Sequence, residues 1–483
     1  MKYFIGLDIG TSSTKALLIS GKEIVASVSK DYPVYYPQPG WSEQNPADWL
    51  EASLSALEEV TAGIDKSQVC AISFSGQMHG LVTLDENDEV IRPAILWNDG
   101  RSEKQVDYLN NTVGKDFLLD CTGNIAFAGF TAPKVLWMSE NEKESFEKIR
   151  KIMLPKDYVA YMLSGSFATD VSDAAGTLYF DTGRRSWSKP MLDLLQIDET
   201  MLPKVYESDE CVGYLKEEIA AKLGFGKVKI IIGAGDNAAS AIGTGTVEDG
   251  SCNISLGTSG TVFVTCGKYE CDRVNAIHTF CSANRKYHYL ACILSAASAQ
   301  KWWIEDILNT QYDFTEVAKY AGKSDIMFLP YLMGERSPVN DSNVRGAFLG
   351  LSMNTAKEEM TLAVLEGVAF ALRQNIDIIR SLGVDIAKSK VCGGGTKNKL
   401  WLRILASVLN IDLEIPVLEH GGALGAAMLA AKSSLDADEY QATEEEFYKI
   451  KETVTPDKSL VDFYNEKYKK YLGIYPAVRT AMQ

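Results

Sequence analysis

Two short turn sequences, far apart along the chain, repeat each other almost residue for residue. Residues 9–14 read Ile-Gly-Thr-Ser-Ser-Thr, and residues 256–261 read Leu-Gly-Thr-Ser-Gly-Thr. Because each stretch joins two β-like runs, each predicts a hairpin whose turn presents backbone N–H groups and hydroxyls on one side. A matched pair of such turns predicts two similar lobes that bind a polyphosphate between them.

The order of predicted elements favours an α/β protein. Three strand-like runs within residues 3–28 precede a helix over 46–60, which Asn45 caps, and a buried strand over 69–74. Strands followed by helices and further strands predict a mixed sheet with helical cover.

The length of the chain, 483 residues, is too great for one hydrophobic core and predicts two domains. Glycines and acidic residues interrupt the periodicity near 243–250, so we predict one domain over 1–245 and a second over 246–483. Beyond residue 433 the sequence becomes charged and helical, which predicts a terminal packing helix.

The composition limits the partners of the chain. A net charge of −16 argues against nucleic acid or an anionic membrane surface. No run approaches the ~18 apolar residues of a membrane span, and the first residues predict a strand rather than a signal peptide, so we expect a cytoplasmic protein. The nine cysteines and four histidines lack metal-ligand spacing, which argues against a zinc site and favours reduced thiols.

Asp236 lies in the sequence Gly-Ala-Gly-Asp-Asn-Ala at residues 233–238, between a strand and a helix. The pattern is close to a dinucleotide-binding fingerprint, but an acid in that turn would repel a pyrophosphate. A carboxylate between glycines at a strand end suits a general base that receives a sugar hydroxyl proton. Capping of the following helix is the alternative, and the two predicted phosphate hairpins favour the base.

Asp8 ends an otherwise apolar strand before the first turn, where an unpaired charge is costly to bury. Bound Mg²⁺ would compensate that charge, and the second turn carries Ser255 at the matching position, so one half alone brings a carboxylate. Lys15 follows the turn and either contacts a phosphate or faces solvent. No Walker-type phosphate loop occurs in the chain.

Two further loops suggest binding surfaces. Met78 and His79 occupy a glycine-bounded break after a strand, and the segment that begins at Trp97 is expected to line the same region; a structural role for His79 is the alternative. Residues 393–395 are three glycines before a helix, where a flat base can lie on bare backbone with Asn398 at its edge.

Two long stretches resemble the signatures of the FGGY carbohydrate kinases. The first is Gly-Phe-Thr-Ala-Pro-Lys-Val-Leu-Trp-Met-Ser-Glu-Asn at residues 129–141, and the second extends over residues 346–366. Residues 77–80, Gln-Met-His-Gly, are similar to the sugar-binding loop of the xylulose kinases within that family. The resemblance implies a two-lobed actin, hexokinase and Hsp70-like fold, also called ribonuclease H-like, with a cleft between the lobes.

The resemblance also implies residue roles. Met78 and His79, with Gln77 and Trp97 beside them, would bind a ketose, Asp236 would accept its hydroxyl proton, and Asp8 would organise Mg²⁺ and ATP. The residues expected to bind the nucleotide are Gly10, Thr11, Lys15, Gly257, Thr258, Gly394, Gly395 and Asn398.

The expected reaction is ATP-dependent phosphorylation of D-xylulose to D-xylulose 5-phosphate in pentose catabolism. The alternatives are another sugar or polyol kinase of the family, acting on ribulose or gluconate, and a nucleotide-switched binding protein like Hsp70. The resemblance also leads us to expect a homodimer.

Overall fold

Two mixed β-sheets organise the chain in a computed structural model, which describes residues 1–310, 313–418 and 420–482. The first sheet has six strands, in the spatial order Cys211–Tyr214, Lys229–Gly235, Val69–Gly76, Tyr3–Ile9, Ser13–Ser20 and Glu23–Asp31. The second has seven, in the order His278–Cys281, Tyr287–Ile293, Gly260–Cys266, Cys252–Leu256, Lys388–Cys392, Asp412–Pro416 and Ile450–Val454.

Short strands pair two by two outside these sheets: Glu43–Gln44 with Ala94–Ile95, Val82–Leu84 with Lys151–Met153, Ala168–Asp170 with Lys204–Tyr206, Phe180–Asp181 with Ser186–Trp187, and Met327–Leu329 with Ala347–Leu349. The α-helices are Pro46–Val60, Glu103–Asp107, Lys115–Thr122, Thr131–Asn141, Lys143–Glu147, Pro155–Ser164, Val171–Ala174, Lys189–Leu195, Glu217–Leu223, Asp236–Thr244, Ala297–Lys301, Phe314–Ala318, Lys357–Ser381, Lys399–Leu409, Gly421–Lys432, Ala437–Phe447, Lys458–Leu472 and Ile474–Met482.

The two repeated turns occupy matching places in the two sheets. Tyr3–Ile9 pairs antiparallel with the strand after its turn and parallel with Val69–Gly76. Cys252–Leu256 likewise pairs antiparallel with the strand after its turn and parallel with Lys388–Cys392. We call the turn at residues 9–14 the first hairpin and the turn at 256–261 the second hairpin. The predicted α/β fold with two similar halves is therefore confirmed.

A helix late in the chain, Gly421–Lys432, packs on the first sheet and against the helix Asp236–Thr244. Small residues permit this approach. A Cβ atom on Gly425 would overlap the carbonyl oxygen of Ala239, and one on Gly6 would overlap that of Ala423. The helix Asp236–Thr244 begins with Asp236, and the helix Gly421–Lys432 begins beside Asp8, since a Cβ atom on Gly422 would lie 3.1 Å from both Asp8 carboxylate oxygens.

The helix Pro46–Val60 agrees with the expectation from the sequence, and the region after residue 433 departs from it. The helix Pro46–Val60 has the predicted bounds, and the Asn45 side chain caps it by accepting from the Ala47 N–H at 3.2 Å. The terminal region is more complex than the single helix that we predicted, because three helices and the edge strand Ile450–Val454 follow residue 433. Within the described ranges, no helix combines the length and apolar character that a bilayer crossing requires.

Candidate active site

A cavity of about 250 Å³, which we call the cleft cavity, opens between residues that follow the first sheet and residues of the second. The first-sheet side contributes Met78, His79, Trp97, Asp236 and Asn237, together with aromatic rings from the loop 127–130. The second-sheet side contributes Ser259, Thr261, His278, Phe280 and Arg336, among others. Four residues predicted from the sequence, Met78, His79, Trp97 and Asp236, therefore line one space.

Asp236 is the first residue of the helix Asp236–Thr244, directly after the strand Lys229–Gly235. Burial, reinforced by the negative charge of Asp8, raises the pKa of its carboxyl to about 7. Asn237 donates to Oδ1 through its backbone N–H at 2.7 Å and its side-chain amide at 2.9 Å. Neither of these bonds uses Oδ2, so that oxygen remains available to a ligand in the cavity.

The carboxylate of Asp8 lies at the end of the central strand Tyr3–Ile9. Ser75 on the neighbouring strand donates its hydroxyl to Oδ1 at 2.8 Å. Burial raises the pKa of Asp8, and the Ser75 bond and the Lys15 charge lower it less. Gly422 packs so closely that an added Cβ atom would overlap the Ser75 hydroxyl and lie 3.1 Å from both Asp8 carboxylate oxygens.

His79 has a backbone φ of 69°, a left-handed conformation that is uncommon for non-glycine residues. Its ring Nδ1 lies 2.7 Å from the Gly176 carbonyl oxygen, so Nδ1 carries the proton and donates. Burial, with the nearby positive charge of Lys134, lowers the pKa of His79 to about 3. The ring is therefore neutral, and its Nε2 atom can accept a hydrogen bond.

A buried lysine supports the His79 loop. Lys134 is fully buried and donates its ammonium to the backbone carbonyl oxygens of His79 at 2.9 Å and Gly129 at 2.5 Å. The Thr131 hydroxyl donates to the same His79 carbonyl at 3.1 Å. Burial lowers the pKa of Lys134 to about 7, although the charge of Asp99 opposes that shift. Two segments that line the cleft cavity are thus held by one side chain.

Gln77 and Trp97 differ in where they point. Gln77 is almost fully buried, and its amide donates to the Gln44 side chain at 2.8 Å and the Gly10 carbonyl at 3.4 Å, behind the first hairpin. Its side chain does not line the cleft cavity. Trp97 does, and its indole N–H donates to the Thr11 hydroxyl at 3.0 Å, which links the cavity to the first hairpin.

The carbonyl oxygens of the first hairpin are turned toward the protein. Gly10 accepts from the Tyr32 hydroxyl at 2.6 Å, and Thr11 accepts from the Gln44 amide at 2.7 Å. The opposite edge of the turn is thus the one that can present N–H groups to an anion. Lys15, just beyond the turn, places its Nζ atom 3.1 Å from the His420 Nδ1 atom, and its contact with a phosphate stays a prediction.

The second hairpin is held in the same way. The Gly257 carbonyl accepts from the Ala297 N–H at 2.8 Å, and the Thr258 carbonyl accepts from the Ala296 N–H at 3.0 Å and the Ser298 hydroxyl at 2.7 Å. The Thr258 side chain is exposed. In both hairpins, the carbonyl oxygens of the glycine and the following threonine therefore accept hydrogen bonds from the protein.

The glycine loop packs directly behind the second hairpin. A Cβ atom on Gly395 would lie 2.7 Å from the Leu256 side chain, whereas Gly394 has open space around it. The Asn398 Oδ1 atom caps the helix Lys399–Leu409 by accepting from the Trp401 N–H at 3.1 Å. Within the described part of the chain, the buried Nδ2 atom of Asn398 has no partner. Gly394 thus leaves bare backbone open to a ligand, Gly395 packs behind it, and the Asn398 side chain is turned into the protein.

Sequence reasoning missed several cavity residues. Asn237 adjoins Asp236 and could have been found from that position. Arg336 and His278 lie outside every motif that the sequence offered, and no local pattern marks them. Lys134 belongs to the first signature, but its burial and its bond to His79 depend on the folded structure.

The donor set fits a cation held mainly by a bound polyphosphate. In the described residues, no group of three or more histidine, cysteine or acidic side chains gathers in a metal-binding arrangement. Mg²⁺ commonly takes one or two carboxylates and completes its shell with water and phosphate oxygens. Asp8, whose carboxylate raises the pKa of Asp236 by its charge, meets that requirement.

Two family models together match most of the chain. The model of the N-terminal domain of the FGGY family of carbohydrate kinases matches residues 3–243. The model of the C-terminal domain of the same family matches residues 252–434.

Individual relatives match along the full length. The xylulose kinase of Staphylococcus xylosus is 35% identical over 484 residues, which cover 98% of this chain and 100% of that enzyme. A crystal structure of a xyloylose kinase from Brucella ovis is 40% identical with a TM-score of 0.93, covering 99% of this chain and 100% of that one. A gluconate kinase from Lactobacillus acidophilus is 28% identical with a TM-score of 0.92, covering 99% of this chain and 98% of that one. Because proteins named for different substrates share the fold so closely, the fold alone does not select the sugar.

Proposed function

The chain belongs to the FGGY family of carbohydrate kinases, and on that premise we propose that it transfers the terminal phosphoryl group of ATP to D-xylulose, forming D-xylulose 5-phosphate. The observation that carries the proposal is Asp236 in the cleft cavity, between the Met78–His79 loop and the second hairpin. The identity to xylulose kinases, 35% over the full length for the Staphylococcus xylosus enzyme, favours a ketose over gluconate.

Asp236 acts as the general base in this proposal. Asn237 donates two hydrogen bonds to Oδ1, which leaves Oδ2 to accept the proton of the sugar primary hydroxyl. The oxygen atom of that hydroxyl attacks the terminal phosphorus of ATP as the proton leaves. The bond between the terminal phosphorus and the bridging oxygen breaks, and ADP leaves. A carboxyl with a pKa of about 7 is well matched to taking up a proton near neutral pH.

The remaining predicted residues hold the substrates. Met78, His79 and Trp97 bind the ketose, and Gln77 supports the first hairpin from behind. The residues that hold the nucleotide are Gly10, Thr11, Lys15, Gly257, Thr258, Gly394, Gly395 and Asn398. Asp8 holds Mg²⁺, which when bound neutralises charge on the polyphosphate.

The same proposal divides the chain into residues 1–245 and 246–483, and the matches at 3–243 and 252–434 support it. A cytoplasmic location and a homodimer stay predictions. Light scattering coupled to size-exclusion chromatography tests the homodimer.

A panel of acceptors tests the function. The purified enzyme is assayed for ADP release with D-xylulose, D-ribulose, gluconate, glycerol and an unfolded peptide. We expect the highest kcat/KM with D-xylulose and no stimulation by the peptide. A preference for ribulose or gluconate would replace the sugar but keep the kinase, whereas stimulation by the peptide alone would favour the Hsp70-like alternative.

An Asp236→Asn variant tests the base in the same assay. We expect kcat to fall by ~10²–10⁴-fold, the range for loss of a general base. Asp193→Asn, at an exposed carboxylate paired with Lys189, is the matched control and should retain full activity. A loss below about fivefold in Asp236→Asn would reduce Asp236 to a helix-terminal acid.

A further inference from the structure

Arg336 enters the cleft cavity from the side opposite Asp236. It lies in the loop between the strands Met327–Leu329 and Ala347–Leu349, and it is half-buried. Its side chain lines the same cavity as Met78, His79 and Asp236. The loop belongs to the second half of the chain, whereas the three residues named with it belong to the first.

The guanidinium of Arg336 is uncommitted. Among the residues that the structure describes, none forms a hydrogen bond or an ion pair with it. The neighbouring Glu335 does not pair with the guanidinium, because its Oε1 accepts from the backbone N–H groups of Leu294 at 2.9 Å and Arg336 at 2.8 Å, and its buried Oε2 has no partner in the described chain. An arginine offers five N–H donors, and a half-buried one without a protein acceptor is suited to a ligand.

Another arginine of the same loop shows the contrast. Arg345 is exposed, and its guanidinium donates to the carbonyl oxygens of Ser342 at 2.8 Å and Val344 at 2.7 Å. Arg345 thus stabilises its own turn and does not line the cleft cavity. Lack of a partner is therefore specific to the arginine that enters the cavity.

The groups around Arg336 show which side of the cavity its side chain reaches. Its positive charge acts on His79, His278, Cys292 and Glu335, and after burial it helps to lower the pKa of both histidines. Those histidines are neutral and bring no compensating negative charge. His79 is the residue that we assign to the ketose, so the guanidinium reaches the cavity on the sugar side.

We propose that Arg336 is a sugar-binding residue whose guanidinium donates hydrogen bonds to oxygen atoms of the bound ketose. The inference rests on the proposed function and adds a contact from the second half of the chain. Hydroxyl and carbonyl oxygens of a ketose are acceptors for a guanidinium, and the aromatic walls of the cavity strengthen such bonds by excluding water. The bound sugar then touches residues of both halves, His79 on one side and Arg336 on the other.

An Arg336→Met variant tests the proposal. Sugar binding is followed without turnover by the fluorescence of tryptophan, since Trp97 lines the cavity, and kinetics are measured in parallel. We expect the Kd and KM for D-xylulose to rise about tenfold to a hundredfold, the range for loss of charge-assisted hydrogen bonds, with the KM for ATP within twofold. Because Arg336 has no side-chain partner among the described residues, the thermal midpoint should stay unchanged. Arg345→Met is the matched control and should bind the sugar normally.

Each other outcome is decisive. An unchanged sugar Kd in Arg336→Met overturns the proposal, and a fall in kcat alone would assign the guanidinium to the transferring phosphoryl group instead. If the wild-type enzyme prefers another sugar, the Kd of the variant is compared with that of the wild type for that sugar. The proposed substrate then fails, but the role of Arg336 is still tested. A wild-type enzyme that phosphorylates no sugar overturns both.

Discussion

The ammonium of Lys134 lies 2.9 Å from the backbone carbonyl oxygen of His79, the residue that adopts a left-handed conformation at the edge of the cleft cavity. Lys134 is a cation buried without a carboxylate within bonding distance in the described chain, and its two acceptors are carbonyl oxygens of cavity-lining segments. These two hydrogen bonds offset part of the cost of burying the ammonium, whose pKa is lowered to about 7, and they hold the loop that carries Met78 and His79 in shape.

Replacing Lys134 should loosen the loop that carries Met78 and His79. In Lys134→Met we expect the KM for the sugar to rise about tenfold, because the His79 and Gly129 carbonyls lose a donor worth about 1–3 kcal/mol, while the KM for ATP changes little. Thr131→Val, which removes one weaker bond to the same carbonyl, should give a smaller effect in the same direction. Lower thermal stability with an unchanged sugar KM would assign Lys134 to the core alone.

The ring of His79 should act as a neutral acceptor throughout the working range. Because its pKa is lowered to about 3, the sugar KM should show no inflection near pH 6.5 that depends on His79. In His79→Ala the sugar KM should rise about tenfold, the loss of one hydrogen bond of about 1 kcal/mol plus contact area, with ATP binding unaffected. Equal sugar affinity in the variant would return His79 to a structural role.

The raised pKa of Asp236 makes both activity and stability depend on pH. The ionised form is the base, so kcat/KM for the sugar should rise with pH up to about 7, or to a lower value once Mg²⁺ is bound. Activity that is flat between pH 5 and 8 in wild type would argue against Asp236 as the titrating base.

The raised pKa of Asp236 also predicts that its ionised carboxylate lowers the stability of the folded protein. The pKa of Asp236 is about 7 in the folded state and 3.8 in the unfolded state. Protonation of Asp236 therefore stabilises the folded state fully below pH 3.8, and this stabilisation is lost as the pH rises through 7. Without nucleotide and Mg²⁺, Asp236→Asn should therefore raise the free energy of unfolding at pH 8 by about 1–3 kcal/mol and less at pH 5. Urea unfolding at the two pH values measures the difference, and an equal change at both would contradict the assignment.

Local patterns in the sequence predicted the two hairpins and the positions of Asp8 and Asp236 at strand ends, whereas the roles of the two carboxylates stay predictions. The helix Pro46–Val60 has the predicted bounds, and the strand Tyr3–Ile9 falls within the predicted strand-like region, because periodicity and a capping asparagine are properties of neighbouring residues. The orientation of Gln77 toward Gln44, 33 residues away, depends on tertiary packing and could not be predicted in that way.

Residues brought into the site by long-range packing left no local signal. Arg336 reaches the cleft cavity from an irregular loop, and the helix Gly421–Lys432 returns from the end of the second sheet to pack on the first. Its repeated alanines and glycines predict close packing but do not identify the partner. Gly422 beside Asp8 was missed for this reason.

The contact between Gly422 and Asp8 gives the last prediction. Replacing glycine by alanine within a helix ordinarily stabilises a protein by about 0.5–1 kcal/mol. Gly422→Ala would therefore raise the stability if the surroundings of Gly422 were open. They are not, because the new Cβ atom would overlap the Ser75 hydroxyl and lie 3.1 Å from both Asp8 carboxylate oxygens.

We therefore expect Gly422→Ala to displace the Asp8 carboxylate, to raise the Mg²⁺ concentration needed for half-maximal activity and to lower kcat by about tenfold or more. Asp8→Asn removes the carboxylate charge without adding a heavy atom and should change the Mg²⁺ requirement in the same direction. Agreement between the two variants would assign the effect to the carboxylate and not to a general loss of folding. Gly63→Ala, at a glycine with open space around it, is the control and should leave the metal dependence unchanged. A Mg²⁺ requirement unaltered in both Gly422→Ala and Asp8→Asn would remove Asp8 from the metal site.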